Sequence, residues 1–266
     1  MGKVVSIANQ KGGVGKTTTA INLSACISAL EKKVLVIDID PQANTTSGLG
    51  LNKKEIKENN EPTIYDLLLT DEEDIEDYSP YIRKTKLKYL DVIPSESDLA
   101  GAEIELASVF GREMKLKIHI DRLKDIYDYI FIDCPPSLGL LTVNSFVASD
   151  SVLIPIQTEY FALEGLADLL NTIKIIQKRL NKKLTIEGIL LTMFDSRVKL
   201  AKQVANEIKE WFGDKVYNTI IPKNVRLAEA PSHGKPIILY DILSTGAESY
   251  MKLAKEFLRR NRDYKK

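Results

Sequence analysis

The sequence predicts an α/β protein: a doubly wound, mostly parallel sheet with helices on both faces, in a single domain over residues 1–266. Three observations carry this. Short β-rich runs alternate with longer helical patterns along the whole chain, most of those runs are continuously apolar, and a glycine-rich loop separates the first run from the first helix. Strands covered on both faces read as unbroken apolar stretches, whereas a half-solvated sheet alternates polar with apolar. Alternating strand and helix signals point to parallel strands joined by crossover helices.

The strand candidates are residues 4–9, 34–38, 90–94, 129–133, 152–156, 186–192 and 216–221. They are rich in branched and aromatic side chains that suit a pleated backbone. Residues 17–30, 163–180, 201–212 and 245–260 space their apolar side chains three and four apart, as a helix with one buried stripe does. No internal repeat, low-complexity tract or Pro/Ser-rich linker divides the chain, which favours one domain. The polar stretch 52–61 is expected to be an insertion or mobile loop.

With 44% hydrophobic and 28% charged residues, the 266-residue chain has globular composition, which excludes collagen, long disordered tails and disulfide miniproteins. Lys+Arg and Asp+Glu both number 37, yet the charge is unevenly placed. Residues 174–266 carry 20 basic and 10 acidic side chains, and residues 51–110 carry 7 and 15. Such a dipolar surface can hold a polyanion although the total is zero. Cys26 and Cys134 lie far apart with no CxxC spacing, against both a disulfide framework and a zinc site, so a reducing cytoplasm is expected. No apolar run reaches the roughly 18 residues that span a bilayer, and the start lacks a signal-peptide layout. Met1 to Ser6 fits an N-myristoylation pattern. The β-rich run there reads instead as a strand start tied into the core.

The chemistry is concentrated after the first strand, in Lys11-Gly12-Gly13-Val14-Gly15-Lys16-Thr17-Thr18. Glycines let successive backbone N–H groups turn toward phosphate oxygens, and the following helix adds its positive N-terminal end. Lys16 supplies a mobile cation for β- and γ-phosphates, and the Thr17 hydroxyl can ligate Mg²⁺. The reading is therefore a P-loop NTPase-like fold that takes a nucleotide's phosphates together with Mg²⁺; the family resemblance below implies that the nucleotide is ATP. The usual loop has glycine where this chain has Gln10, and a second lysine, Lys11, follows. Asp38 and Asp40 stand two apart at a strand end, so an extended backbone points both carboxylates to one side. That side is the carboxyl edge, where open α/β sheets bind ligands. Asp133 also ends an apolar strand, where a carboxylate can hold Mg²⁺ through its water shell. Pro135 and Pro136 then stop the strand and free the next loop to act as a switch.

These stretches resemble the deviant Walker A ATPases of the ParA/MinD family, and most of all its short chromosomal ParA branch, often called Soj. The likeness rests on residues 11–18, 34–44, 129–137, 191–197 and 221–236, which span nearly the whole chain. It implies that Asp40 orients the water attacking the γ-phosphate and that Lys11 reaches across a dimer interface to the partner's ATP. It assigns Pro222 and Asn224 to the adenine, although an Asn in a turn needs no ligand to account for it. It further implies an ATP-bound homodimer that binds double-stranded DNA without sequence preference and releases it after hydrolysis. The ATPase would be weak until a ParB-type centromere-binding protein stimulates it.

Arg197, Lys199 and Lys202, before and on one helix, and Arg226 in a later loop are the DNA-contact candidates, Arg197 and Arg226 by resemblance. The expected role is chromosome or plasmid segregation by a cytoplasmic, nucleoid-associated protein. The alternative is a MinD-like membrane-surface positioning ATPase, with residues 250–260 as amphipathic anchor. Docking of that apolar stripe on the sheet is the simpler reading, so no membrane partner is expected. An iron–sulfur carrier would need paired thiolates, which Cys26 and Cys134 do not supply. The phosphate loop begins near residue 10, leaving no room for an N-terminal helix-turn-helix domain. His119 and His233 are solitary and receive no catalytic role.

Overall fold

The computed structural model describes residues 1–159, 162–262 and 264. In chain order the elements are β1 (Lys3–Ile7), α1 (Lys16–Ala29), β2 (Val34–Asp38), α2 (Asn44–Gly48), α3 (Lys53–Glu58), α4 (Ile64–Leu69), β3 (Arg83–Lys84), β4 (Leu90–Ile93), α5 (Leu99–Glu105) and α6 (Lys115–Leu123). There follow β5 (Tyr129–Asp133), α7 (Leu140–Ala148), β6 (Ser151–Gln157), α8 (Ala162–Arg179), β7 (Thr185–Thr192), α9 (Lys199–Phe212), α10 (Val225–Glu229), α11 (Ile237–Tyr240) and α12 (Thr245–Arg260).

The strands form one sheet in the order β3-β4-β2-β5-β1-β6-β7, parallel except where the short β3 runs antiparallel to β4. The fold is the doubly wound α/β architecture that the apolar runs predicted. Successive side chains of each strand feed opposite faces, because the pleat alternates them. Val4, Leu35 and Ile37 pack with α4 through α9 on one face; Val5, Ile7, Val34 and Val36 pack with α1, α10, α11 and α12 on the other. Both faces are dry, which explains why these strands carry no polar alternation.

The sheet order also gathers the chemistry. β5 lies between β1 and β2, with Ile7 and Asp38 both in register with Asp133. Three parallel strands thus end level, and the segments leaving them share one edge.

Several local expectations need revision. Residues 216–221 do not form a strand: they meet β7 at the isolated bridge Ile189–Val216 and through the Tyr217 and Ile221 N–H groups, which donate to the Ile189 and Leu191 carbonyls at 2.9 Å. The backbone N–H groups of Asn218 and Thr219 turn instead to the carboxylate of Glu256 on α12, each at 2.9 Å, which interrupts the ladder. The polar stretch 52–61 contains helix α3, started by Asn52, whose side chain accepts from the Lys54 N–H at 3.1 Å. Strand β3 was not foreseen: two residues hold too little pattern. Helices α2, α4, α5, α6, α7, α10 and α11 were not foreseen either; α7 is buried over nearly all its length and shows no polar stripe.

Gly2 and the last helix are docked on the body of the fold. Gly2 is buried and its N–H donates to the Lys124 carbonyl at 2.6 Å. Helix α12 buries Tyr250, Leu253, Ala254 and Phe257, with Phe257 edge-on to Tyr129 at 5.3 Å, while Lys252, Lys255 and Arg259 face solvent. Its apolar stripe is therefore core, not a free anchor. Among the described residues no helix is long and apolar enough to cross a membrane. Replacing Glu256 by Ala leaves the N–H groups of Asn218 and Thr219 and the Thr219 hydroxyl without their acceptor. We expect a loss of about 2–4 kcal/mol in urea unfolding, with Glu256→Gln losing less.

Candidate nucleotide site

The loop between β1 and α1 takes a shape that only some of its residues could change. Gly13 and Gly15 have φ of 74° and 87°, in the left-handed region that L side chains rarely adopt. Gly15 precedes α1, whose first turn has neither a side-chain cap nor an acidic residue. Its N–H groups are thus left for an anionic ligand. The Lys16 ammonium is buried and folds back to donate to the Lys11 carbonyl at 3.2 Å. Burial lowers its pKa, an effect that the charges of Asp133 and Asp40 oppose.

Asp133 is the hub. Its Oδ2 accepts from the Thr17 hydroxyl at 2.8 Å and from the Thr45 hydroxyl at 2.7 Å. Its Oδ1 is buried with no hydrogen-bond partner among the described residues. A carboxylate oxygen left in this way, beside a threonine hydroxyl and a lysine, is the donor set that suits hydrated Mg²⁺ on a phosphate. Among the described residues no group of three acidic, His or Cys side chains could cage an ion alone. A cation here would therefore rely on Thr17, water and the ligand's own oxygens.

Asp38 and Asp40 do not share a task. Asp38 is wholly buried, and its Oδ2 accepts from the N–H and hydroxyl of Thr46 at 2.8 and 2.7 Å. It thereby fixes the segment after β2. Asp40 instead lines a recess of about 360 Å³ with Gly12, Gly13, Gly15, Lys16, Thr17, Thr18, Gln42 and Asn44. Burial, and then the charge of Asp133, raise the Asp38 carboxyl above its ordinary range. Burial also raises Asp133, against the lowering effect of its Thr45 and Thr17 hydrogen bonds.

A second, apolar cavity of about 300 Å³ adjoins this recess and shares Gly15, Thr18 and Met193 with it. Pro222 and Asn224 both line it, beside Thr192, Ile221 and Tyr250. Asn224 also caps α10: its Oδ1 accepts from the Leu227 N–H at 3.1 Å, and its Nδ2 donates to Thr245 at 2.8 Å. The loop is anchored there through Val14, whose carbonyl accepts from Thr192 at 2.7 Å. A phosphate cradle opening into an apolar cavity of this volume matches a purine nucleotide in size and polarity.

The chain matches an AAA-domain family model over residues 2–186. It is 58% identical over 256 residues to the sporulation initiation inhibitor protein Soj of Bacillus subtilis, covering 96% of this chain and 98% of that protein. It is 52% identical to the chromosome partitioning protein ParA of Myxococcus xanthus, covering 98% and 89%. The chain belongs to the ParA/MinD family. Among solved structures, the Mycobacterium smegmatis cobyrinic acid a,c-diamide synthase with bound ATP analog and magnesium superposes with a TM-score of 0.84 at 32% identity, over 99% of this chain and 97% of that one.

Within this ParA/MinD chain the remaining candidates lie apart from the cradle. Lys11 turns away from the recess to Glu159. Arg197 is exposed and paired with Asp195 at 2.7 Å, and Lys199 and Lys202 stand exposed on the first turn of α9. Arg226 lies in helix α10, not in a loop, and pairs with Glu229 and Asp241 at 2.9 and 3.5 Å. Cys26 and Cys134 are buried and free, and burial pushes both thiols up to about 12. His119 is buried against Tyr78, and His233 stacks on Tyr240.

Thr45, Thr46 and Met193 escaped the sequence reading. Threonines just after a turn read as caps, and nothing in the sequence marks Met193, whose φ of 50° is left-handed. Asp38 and Asp133 both hold protons more tightly when folded than at the ordinary carboxylate value near 3.8. These two groups should thus make the ligand-free protein lose stability as pH rises from about 4 toward 7, against the opposite contribution of His119, whose pKa burial lowers. Thermal unfolding across that range should show the slope, and Asp38→Asn, which keeps an acceptor for Thr46, should flatten it.

Proposed function

We propose that this chain is a nucleotide-switched ATPase that partitions chromosomes, with ATP as substrate and Mg²⁺ as cofactor. The observation that carries this reading is the Thr17–Asp133 hydrogen bond at 2.8 Å, formed beside the glycine loop by a carboxylate whose other oxygen is buried without a hydrogen-bond partner among the described residues. Residues 12–18 would hold the phosphates, Pro222 and Asn224 would flank the adenine, and Thr17 with Asp133 would hold the hydrated cation. When bound, Mg²⁺ would neutralise charge on the phosphate oxygens.

Asp40 would orient the attacking water from the rim of the recess. Lys16 would bind the phosphates in its own chain, and Lys11 would serve the nucleotide of a second copy. Positioning and charge neutralisation are most of what phosphoryl transfer asks of a protein. A cation supplied in trans makes dimerisation depend on the terminal phosphate.

The dimer would hold double-stranded DNA through phosphate contacts of Arg197, Lys199, Lys202 and Arg226, and would let go after hydrolysis stimulated by a ParB-type partner. The names of the 58% and 52% identical relatives support the partitioning role. Exposure of all four cations supports the DNA contact. Asp195, Glu229 and Asp241 already neutralise the two arginines, so DNA would have to displace those acids.

Sizing by light scattering should give a dimer with a non-hydrolysable ATP analogue and a monomer with ADP. A monomer in both sinks the reading. Asp40→Ala should keep ATP binding while turnover falls about a hundredfold. Combined Arg197→Ala and Arg226→Ala should weaken DNA retardation and make the dependence of log K on log salt shallower by about two. Unchanged retardation would clear both arginines of the role.

A further inference from the structure

The Lys11 ammonium is 2.7 Å from Oε2 of Glu159, a residue 148 positions away that no sequence pattern singles out. Both halves of this pair are moored on β6. The second oxygen of Glu159, Oε1, accepts from Nε2 of Gln157 at 2.6 Å, and the Glu159 N–H donates to the Gln157 carbonyl at 2.9 Å. On the loop side, the Lys11 N–H donates to Asn9 Oδ1 at 3.0 Å, and Asn9 Nδ2 donates to the Pro155 carbonyl at 2.7 Å. The carboxylate is therefore oriented before the lysine arrives. The two lysines of the loop diverge, Lys16 toward the phosphate recess and Lys11 away from it.

We propose that Glu159 is a positioning residue for Lys11: it holds the ammonium on its own chain, so that forming the dimer exchanges this carboxylate for a phosphate of the partner's nucleotide. The proposal rests on the reading of Lys11 as the lysine supplied in trans. Its physical content is a competition between two anions for one cation. A nucleotide without its terminal phosphate offers the weaker competitor, and Glu159 keeps the lysine. A triphosphate offers more charge and wins. Glu159 thus raises the threshold for dimerisation and keeps Lys11 from closing onto the phosphates of its own chain.

The side chains of Lys11 and Glu159 are 35% and 51% exposed, so solvent screens the pair and its weight is about threefold, not thousands. A two-fold symmetric dimer breaks two such pairs, and about threefold for each becomes about ninefold in the dimer constant. Two measurements test this. With the non-hydrolysable ATP analogue, Glu159→Gln should tighten the dimer about ninefold by sedimentation. In the ADP-bound chain, acetylation of Lys11 followed by mass spectrometry should run about threefold faster in Glu159→Gln than in wild type, with Lys16 unchanged. Raising salt should speed Lys11 labelling in the wild type and not in the variant, a readout that needs no comparison of folds.

If wild type stays monomeric with the analogue, the trans reading of Lys11 fails. If wild type dimerises but Glu159→Gln dimerises no better, or labels Lys11 no faster, the present inference alone is overturned. A weaker dimer in the variant also overturns it, since Glu159 would then be serving the interface.

Discussion

One buried carboxylate organises the nucleotide edge of this molecule. Asp133 ends the strand between β1 and β2, and its Oδ2 ties together the hydroxyl that opens α1 and the hydroxyl that opens α2. Ionised carboxylates are costly to bury without partners, and each hydroxyl that donates to this one makes its charge more tolerable. The loop, the segment after β2 and the strand end therefore cannot shift independently. A ligand that changes the charge at Asp133 is felt at both threonines.

The carboxylates on this edge divide their work. Asp38 is sealed under Thr46 and shapes the backbone that follows β2, while Asp40, two residues on, reaches the recess. Close spacing in sequence put both acids at the edge without giving them one role. The difference is in their partners: both acids are buried, but the oxygens of Asp38 are taken by backbone and hydroxyl donors, which leaves little for a ligand. The lysines divide similarly. Lys16 is buried under the loop, whereas Lys11 is half-exposed and held by Glu159.

Charge on the outer surface follows a different logic. Two of the basic residues of the last third are not bare cations, because Arg197 and Arg226 sit on acids of their own neighbourhood. Hydrogen bonds from Arg197 hold the Asp195 carboxyl well below the usual range. Such pairs are screened and exchangeable, which leaves the arginines available to a polyanion that offers more negative charge.

Much of this was legible in the sequence, and the boundary has a physical reason. Continuous apolar runs specified the parallel strands, since only strands dry on both faces can be so unbroken, and the glycine and lysine spacing specified the phosphate loop, since its function depends on backbone conformation and adjacent residues. Residues 216–221 looked like one more strand because the pattern could not show that Glu256, on a distant helix, would take their N–H groups. Thr45 and Glu159 were invisible for the same reason: their partners, Asp133 and Lys11, lie 88 and 148 positions away. Periodicity and local motifs report what neighbours along the chain do, so the sequence by itself determined the fold class, the cradle and its lysines. Only the folded chain decided which acid is buried, which reaches the ligand and which one holds Lys11, because those choices depend on contacts that form when distant segments pack.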